Sequence, residues 1–446
     1  MTVGRARFLG RLVADSVRAG GPSPVHALAR FSAANGGIAR LPFPGRFWVV
    51  SNPELLNEVL VTGGPAYGKN GRAFEVLRRT FGNGVFTAMD GPAWSKARQL
   101  MNPAFARGNL DGVVAEAAAA TRQRADAWAS DQPVAAFEEF KRINLSVLFR
   151  YLFGDSVTDE QVDTLAKLSR PVFSGMADQV FRGMVLPQGA PGGGTYQRAI
   201  ATLDREVYAS IERRRARGEH DRGDLLGVLI AAGLTDTELR DQVITLVLAG
   251  YDSTATLLSM WCLLLATRPG ELALLRDEVA TQLGGRTPTL GDLGRLEHCT
   301  AWMTAVLHDH PSFPIFFRGT MRDVTLGGHD IPADSQILVF PYAAHRDPTH
   351  WPGYAFDPTR FAERLAPERR RAHLPFGAGK RMCIGATMAQ ATALTVMAVL
   401  LQTFTSWSRP DGPDRMTYAM TWWPADGTLL VPHRAGANHR AAYARG

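Results

Sequence analysis

From about Pro53 to His308 the apolar residues recur with helical spacing, broken by stretches that read as loops. The strongest signal runs from Asp236 to Thr267. Its core, VITLVLAGYDSTATLLSMWCLLLA, is apolar on nearly every face and predicts a buried helix. Thr235 and Glu238 fit a capping box at its start, and Arg268-Pro269-Gly270 supplies the stop. At ~1.5 Å per residue the helix is roughly 48 Å long, enough to span a whole globule. Ahead of this block, IARLPF (38–43) and RFWVV (46–50) flank Pro44-Gly45 and predict a hairpin. The segment MTVGRARFLGRLVADSVRAGG carries helical spacing and predicts a short surface helix. Two Gly-rich stretches, Tyr67–Pro92 and Leu186–Gly194, read as loops, the second flexible.

Beyond Phe313 the pattern turns to short strands and irregular chain as far as Pro375. A last helix is expected from Gly385 to about Phe404, then two strands joined near Ala425-Asp426-Gly427. The pattern predicts a mainly α, α+β fold in one unit over 1–446, not an alternating βαβ chain. Its β-rich parts fall at 30–65, 313–342 and 415–433, and its helical parts at 66–308 and 343–404.

Composition narrows the function. Of 446 residues, 49 are Lys or Arg and 42 are Asp or Glu, so the net charge is +7, spread without a dense basic run. A nucleic-acid binder is not indicated. Hydrophobic residues make up 46%, enough for a large core. Only three cysteines occur (Cys262, Cys299, Cys383), which excludes a disulfide scaffold or a zinc ribbon. No signal peptide or membrane anchor is read at the N-terminus, so a cytoplasmic location is expected.

Chemistry concentrates in LPFGAGKRMCIGATMAQ, residues 374–390. Gly377 and Gly379 precede Cys383 and let the backbone pass close to something flat and large. Cys383 stands just before a helix, whose positive end favours a thiolate. Arg381 offers a fork for a carboxylate. A thiolate beside a carboxylate binder suits heme iron and a heme propionate.

The run Phe376-Gly-Ala-Gly-Lys-Arg-Met-Cys383-Ile-Gly resembles the heme signature F-x-x-G-x-R-x-C-x-G of the cytochrome P-450 superfamily at every fixed position. The resemblance extends over about residues 30–433 and implies the fold of that superfamily. Heme b would lie between the long central helix and the Cys loop, with Cys383 as the iron ligand. It also implies heme contacts from Phe376, Gly377, Gly379, Arg381, Trp94, Arg98, Arg318, Lys69, Ala249 and Gly250. Trp94-Ser-Lys-Ala-Arg98 is similar to the W-x-x-x-R whose side chains meet a propionate. HRDP (345–348) and FDPTRF (356–361) are similar to later signatures.

The long helix carries Ala249-Gly250-Tyr251-Asp252-Ser253-Thr254, similar to the pattern A/G-G-x-D/E-T-T. Gly250 within a helix costs about 1 kcal/mol against Ala, sensible where a ligand lies against the backbone. By resemblance Asp252, Ser253 and Thr254 deliver protons during dioxygen cleavage, on a helix that the family distorts. Alternatively the two hydroxyls bond the carbonyl four residues back. Substrate contacts expected on the same basis are Phe86, Phe313, Ile315, Trp422 and Trp423.

The sequence departs from the family at three places. Ser253 replaces the usual Thr. Ala305 and His308 stand where E-x-x-R is usual, which leaves Arg360 in need of a partner. Thr392 replaces a Glu in the last helix. The leading expectation is a heme-thiolate monooxygenase acting on an apolar or aromatic small molecule in specialised metabolism. A separate ferredoxin or flavodoxin would donate electrons, docking on Arg369, Arg370, Arg371, Lys380 and Arg381. The departures keep open a heme-thiolate enzyme that needs no external reductant and performs isomerisation, dehydration, cyclisation or nitrene-type transfer. A non-catalytic heme-bound helper is disfavoured by the intact Cys383 motif.

Overall fold

The computed structural model describes residues 24–43, 45–154, 158–185, 193–218, 224–353, 355–410, 416–424 and 428–434. The expected N-terminal helix, Pro44, nearly all of the 186–194 loop and the 425–427 turn lie outside them.

The main helices in chain order are α1 (Pro24–Ala33), α2 (Arg72–Phe81), α3 (Pro92–Met101), α4 (Asp111–Asp126), α5 (Ala136–Phe153) and α6 (Asp159–Val185). They continue with α7 (Gly194–Ala216), α8 (Leu225–Ala231), α9 (Asp236–Ala266), α10 (Pro269–Leu283), α11 (Glu297–Asp309) and α12 (Ala386–Thr403). The capping box expected at Thr235 is present on α9, with both reciprocal bonds made to Glu238. Both α9 and α12 are long and apolar enough to cross a membrane, and both are core helices. Leu239, Ile244, Tyr251, Ala255, Leu258 and Trp261 of α9 are wholly buried, each large apolar one stabilising by roughly 1.5–3 kcal/mol.

The expected hairpin is β1 (Ile38–Arg40) with β2 (Phe47–Val50), antiparallel. It joins β3 (Tyr67–Gly68), β5 (Phe316–Thr320) and β8 (Gln336–Val339) in a five-stranded sheet of order β1-β2-β8-β5-β3, with β2 and β8 parallel. Between β5 and β8, β6 (Val324–Leu326) and β7 (His329–Ile331) form a hairpin.

Two expectations need correcting. Tyr67–Pro92 is not one loop, because it holds β3 and the ten-residue α2. Ala73, Phe74, Val76, Leu77 and Phe81 of α2 are buried, with Arg72, Glu75, Arg78 and Arg79 on its other face. Gly71 and Gly82, which gave the loop appearance, are its two caps. Near the C-terminus, the strands flanking 425–427 belong to different sheets. β11 (Thr421–Pro424) pairs with β10 (Met416–Ala419), whereas β12 (Leu429–His433) lies between β4 (Val134–Ala135) and β9 (Ser406–Ser408).

Candidate active site around Cys383

A cavity of about 250 Å³ lies between α9 and the Cys loop. Thr245, Leu246, Ala249, Gly250, Ser253, Thr254 and Leu257 of α9 line it. These positions repeat every three or four residues and so share one helix face. Opposite stand Phe376, Gly377, Cys383, Ile384, Met388, Ala389 and Thr392. Phe81, Phe86, Leu148, Phe173, Phe313, Phe316 and Met420 complete a largely apolar wall.

The Cys loop is fixed by its backbone. Cys383 N–H donates to the Phe376 carbonyl at 3.0 Å. Gly379 has φ +70°, and a Cβ there would lie 2.0 Å from the Leu60 carbonyl oxygen, so only glycine fits. The accessible face of Cys383 looks into the cavity. Burial pushes its thiol above the usual range, outweighing the Gly385 N–H and the nearby Arg98 guanidinium. The Gly385 N–H at the helix start acts in the expected direction, toward the thiolate, but is outweighed by burial. Metal bonding is what deprotonates such a thiol.

Four cations share this cavity: Lys69, Arg98, Arg318 and Arg381. Arg381 is fully engaged, with Asp90 and with the Val85 and Ala88 carbonyls at 3.1 and 2.8 Å. Arg98 donates to the Met382 carbonyl at 2.8 Å. Lys69 is 5% exposed; its ammonium sits 4.8 Å from the centroids of the Phe74 and Phe86 rings, with no acceptor among the described residues. Burial, then Arg318 and Arg381, holds it well below the usual lysine range. Arg318 is equally buried and among the described residues donates only to the Phe317 carbonyl at 2.8 Å. Burial and the field of Arg381 bring it down to about 10. Two buried cations without carboxylate partners cost several kcal/mol unless anions join them. A thiol on one wall with two unneutralised cations beside it fits a flat, iron-bearing dicarboxylate such as heme.

On α9, Ser253 Oγ donates to the Ala249 carbonyl at 2.9 Å and Thr254 Oγ1 to the Gly250 carbonyl at 3.1 Å. Both hydroxyls thus take the back-bonded arrangement while still lining the cavity. Asp252 is fully buried and off the cavity wall. Its Oδ2 accepts from Trp423 Nε1 and from Thr421 Oγ1 at 3.0 Å, and its Oδ1 has no partner among the described residues. Burial raises this carboxyl to about 6, against the lowering effect of Lys141, Trp423 and Thr421. Gly250 lines the cavity, yet its close neighbour is protein, since a Cβ there would meet Leu148 at 2.8 Å. The helix runs unbroken where distortion was expected. Its Tyr251 and Ser253 carbonyls take additional donors from Asn144 at 3.4 Å and Ser312 at 2.8 Å.

Phe86 and Phe313 stand on the cavity wall; Ile315, Trp422 and Trp423 do not. Trp94 is also off the wall. Its indole N–H donates to the Val85 carbonyl at 3.1 Å, and the Arg381 guanidinium lies 3.9 Å from its ring centroid. Sequence reasoning missed Met420, Phe316 and the Asp90 partner of Arg381. The spacing of β-strand residues gave no sign of which side of the terminal hairpin would face inward.

Where a Glu/Arg pair was expected, α11 instead packs an imidazole cluster. His308 stacks on His345 at 4.8 Å and lies 5.6 Å from His373 and 4.2 Å from Trp351. His345 Nδ1 meets the His308 carbonyl at 2.8 Å, and its Nε2 accepts from Leu374 N–H at 2.8 Å. His345 therefore ties α11 to the start of the Cys loop as a neutral ring. Arg360 is not stranded. It reaches Asp357 at 3.3 Å and the Pro352 and Gly353 carbonyls at 3.2 and 2.8 Å. Asp309 pairs with Arg346 at 3.0 Å.

A family model described as Cytochrome P450 matches residues 26–431. Cyclooctatin synthase of Streptomyces melanosporofaciens is 30% identical over 389 residues, covering 84% of each chain. Pentalenene oxygenase of Streptomyces avermitilis is 31% identical over 408 residues, covering 88% of this chain and 89% of its own. A crystal structure of a cytochrome P450DA heme domain superposes with TM-score 0.80 at 24% identity, covering 94% of each chain, a likeness of fold.

Proposed function

The chain belongs to the cytochrome P450 family, and from that premise we propose that it oxygenates an apolar, compact, ring-containing small molecule of specialised metabolism. Heme is its cofactor and monooxygenation its reaction class. When bound, heme supplies dioxygen activation at iron. The chain's own residues do the rest. Cys383 would hold the iron, and Lys69, Arg318 and Arg98 would neutralise the propionates. Gly377 and Phe376 would lie against the ring. Ser253 and Thr254 would hold protons at hydroxyl oxygens facing the cavity, with Asp252 as the buried acid behind them.

The observation that carries the substrate class is the wall. Phe81, Phe86, Leu148, Phe173, Phe313 and Met420 present carbon surface. Such a wall favours a hydrocarbon skeleton by desolvation and excludes water from the reacting face. Two buried oxygens without partners among the described residues, Thr245 Oγ1 and Asn144 Oδ1, give it points at which a substrate hydroxyl would be held. Relatives named cyclooctat-9-en-7-ol 5-monooxygenase and pentalenene oxygenase act on cyclic molecules by name, and another is named for making cyclooctatin. A separate acidic carrier protein in the cytoplasm would bring electrons to the exposed Arg370, Arg371 and Lys380.

The test has two steps. The reduced, carbon-monoxide-treated protein should show the red-shifted Soret band of thiolate-ligated heme. A panel of polycyclic hydrocarbons and their alcohols should then displace the resting spectrum, with charged compounds inert. Preference for charged ligands would overturn the substrate class.

A further inference from the structure

The terminal hairpin reaches the acid of the central helix from outside the cavity. Trp423 Nε1 and Thr421 Oγ1 of β11 both donate to Asp252 Oδ2. Two residues before Trp423 on the same side of the ladder, Thr421 pairs with Ala419 across the turn at Met420. Met420 itself has φ +72°, a left-handed conformation costly for a side chain with a Cβ, and it lines the cavity. The hairpin is held in place: the Thr256 hydroxyl lies 2.8 Å from the Trp422 carbonyl, and Trp422 N–H donates to the Ser312 carbonyl at 3.2 Å. The Trp423 ring also packs edge-on to Phe173 of α6, at 6.1 Å.

We propose that Trp423, supported by Thr421, is a positioning residue for proton delivery: it holds the Asp252 carboxylate turned away from the cavity and keeps it ionisable. Donors on Oδ2 favour the charged form, and the unpartnered Oδ1 leaves room for a proton. Other charged and titratable groups around Asp252 are Lys141 and Glu138 of α5, Arg170 of α6 above the Trp423 ring, and Tyr251 on its own helix. Lys141 is paired to Glu138 at 2.7 Å, so its charge is shared. Among the described residues only the two β11 donors hydrogen-bond the carboxylate. The turn at Met420 joins the cavity wall and this clamp within one hairpin.

The inference rests on the monooxygenase reading for its purpose but not for its measurement. Infrared titration of the heme-loaded protein, referenced to Asp252→Asn, isolates the Asp252 carboxyl band. Its midpoint is expected near 6 in the native chain. In Trp423→Phe, which keeps a ring against Phe173 but loses the donor, the midpoint should rise by about one to two pH units, the worth of a charge-assisted hydrogen bond. The neutral-to-acid limb of the turnover profile should move by the same increment. Thr421→Val should move it in the same direction by less, and it serves if Trp423→Phe does not load heme. An Asp252 midpoint equal in native and variant protein overturns the proposal. A missing thiolate spectrum would instead overturn the monooxygenase reading.

Discussion

Lowering the pH from 7 to 5 should weaken this protein through the imidazole cluster packed against α11. Burial holds His308 at about 3 and His373 at about 4, against an ordinary value of 6.5. Burial also lowers His345, with the fields of His308 and His373 adding to it. These groups are neutral in the folded state and bind protons only when it opens. Their contribution is therefore complete above 6.5 and is lost as pH falls below it. At pH 5 the gap is 1.5 pH units for each of two rings, whatever their folded values below 5. At about 1.4 kcal/mol per unit this comes to roughly 4 kcal/mol for the pair. With about 2.1 cal/mol/K per residue, the melting temperature should fall by about 4 °C from this source. The assay is thermal unfolding of the heme-loaded protein at both pH values, in native chain and in His308→Phe/His373→Phe. Packing changes shift the variant's baseline, but only the native chain should show the additional acid loss. Parallel losses in the two proteins would refute the reasoning.

Other outcomes follow from the same geometry. Cys383→Ala should abolish the thiolate Soret band while far-ultraviolet circular dichroism stays native. Gly379→Ala combines a left-handed φ with a clash at the Leu60 carbonyl and should cost at least about 2 kcal/mol, read from urea unfolding. Arg318→Leu removes a buried unpaired cation. The heme-free protein should gain about 1–3 kcal/mol while heme transfer to apomyoglobin quickens tenfold or more. Turnover should require both reductant and dioxygen; product formed without reductant would favour the isomerising or dehydrating alternative.

Much of the site was legible because it is local in sequence. The Cys383 loop carries its cysteine, its arginine and its glycines within ten residues, and 3.6-residue periodicity marks the cavity stripe of α9. The same periodicity would have turned Asp252 off that stripe, since it sits about 100° from Ser253. What stayed hidden depends on distant segments. His345 and His373 meet His308 across the chain, and no spacing announces three packed neutral rings. Trp422 and Trp423 point to opposite faces of a strand, and neither reaches the cavity because the turn residue Met420 does. The helix α2 was masked by its own capping glycines.

The way β12 is threaded has a bearing on biogenesis. It stitches together β4 and β9, segments some 270 residues apart along the polypeptide. Cys383, the Met420 wall and this stitch all lie on the C-terminal side of the long helix α9. The seam is therefore a contact of high sequence separation, which forms more slowly than the local helices it joins.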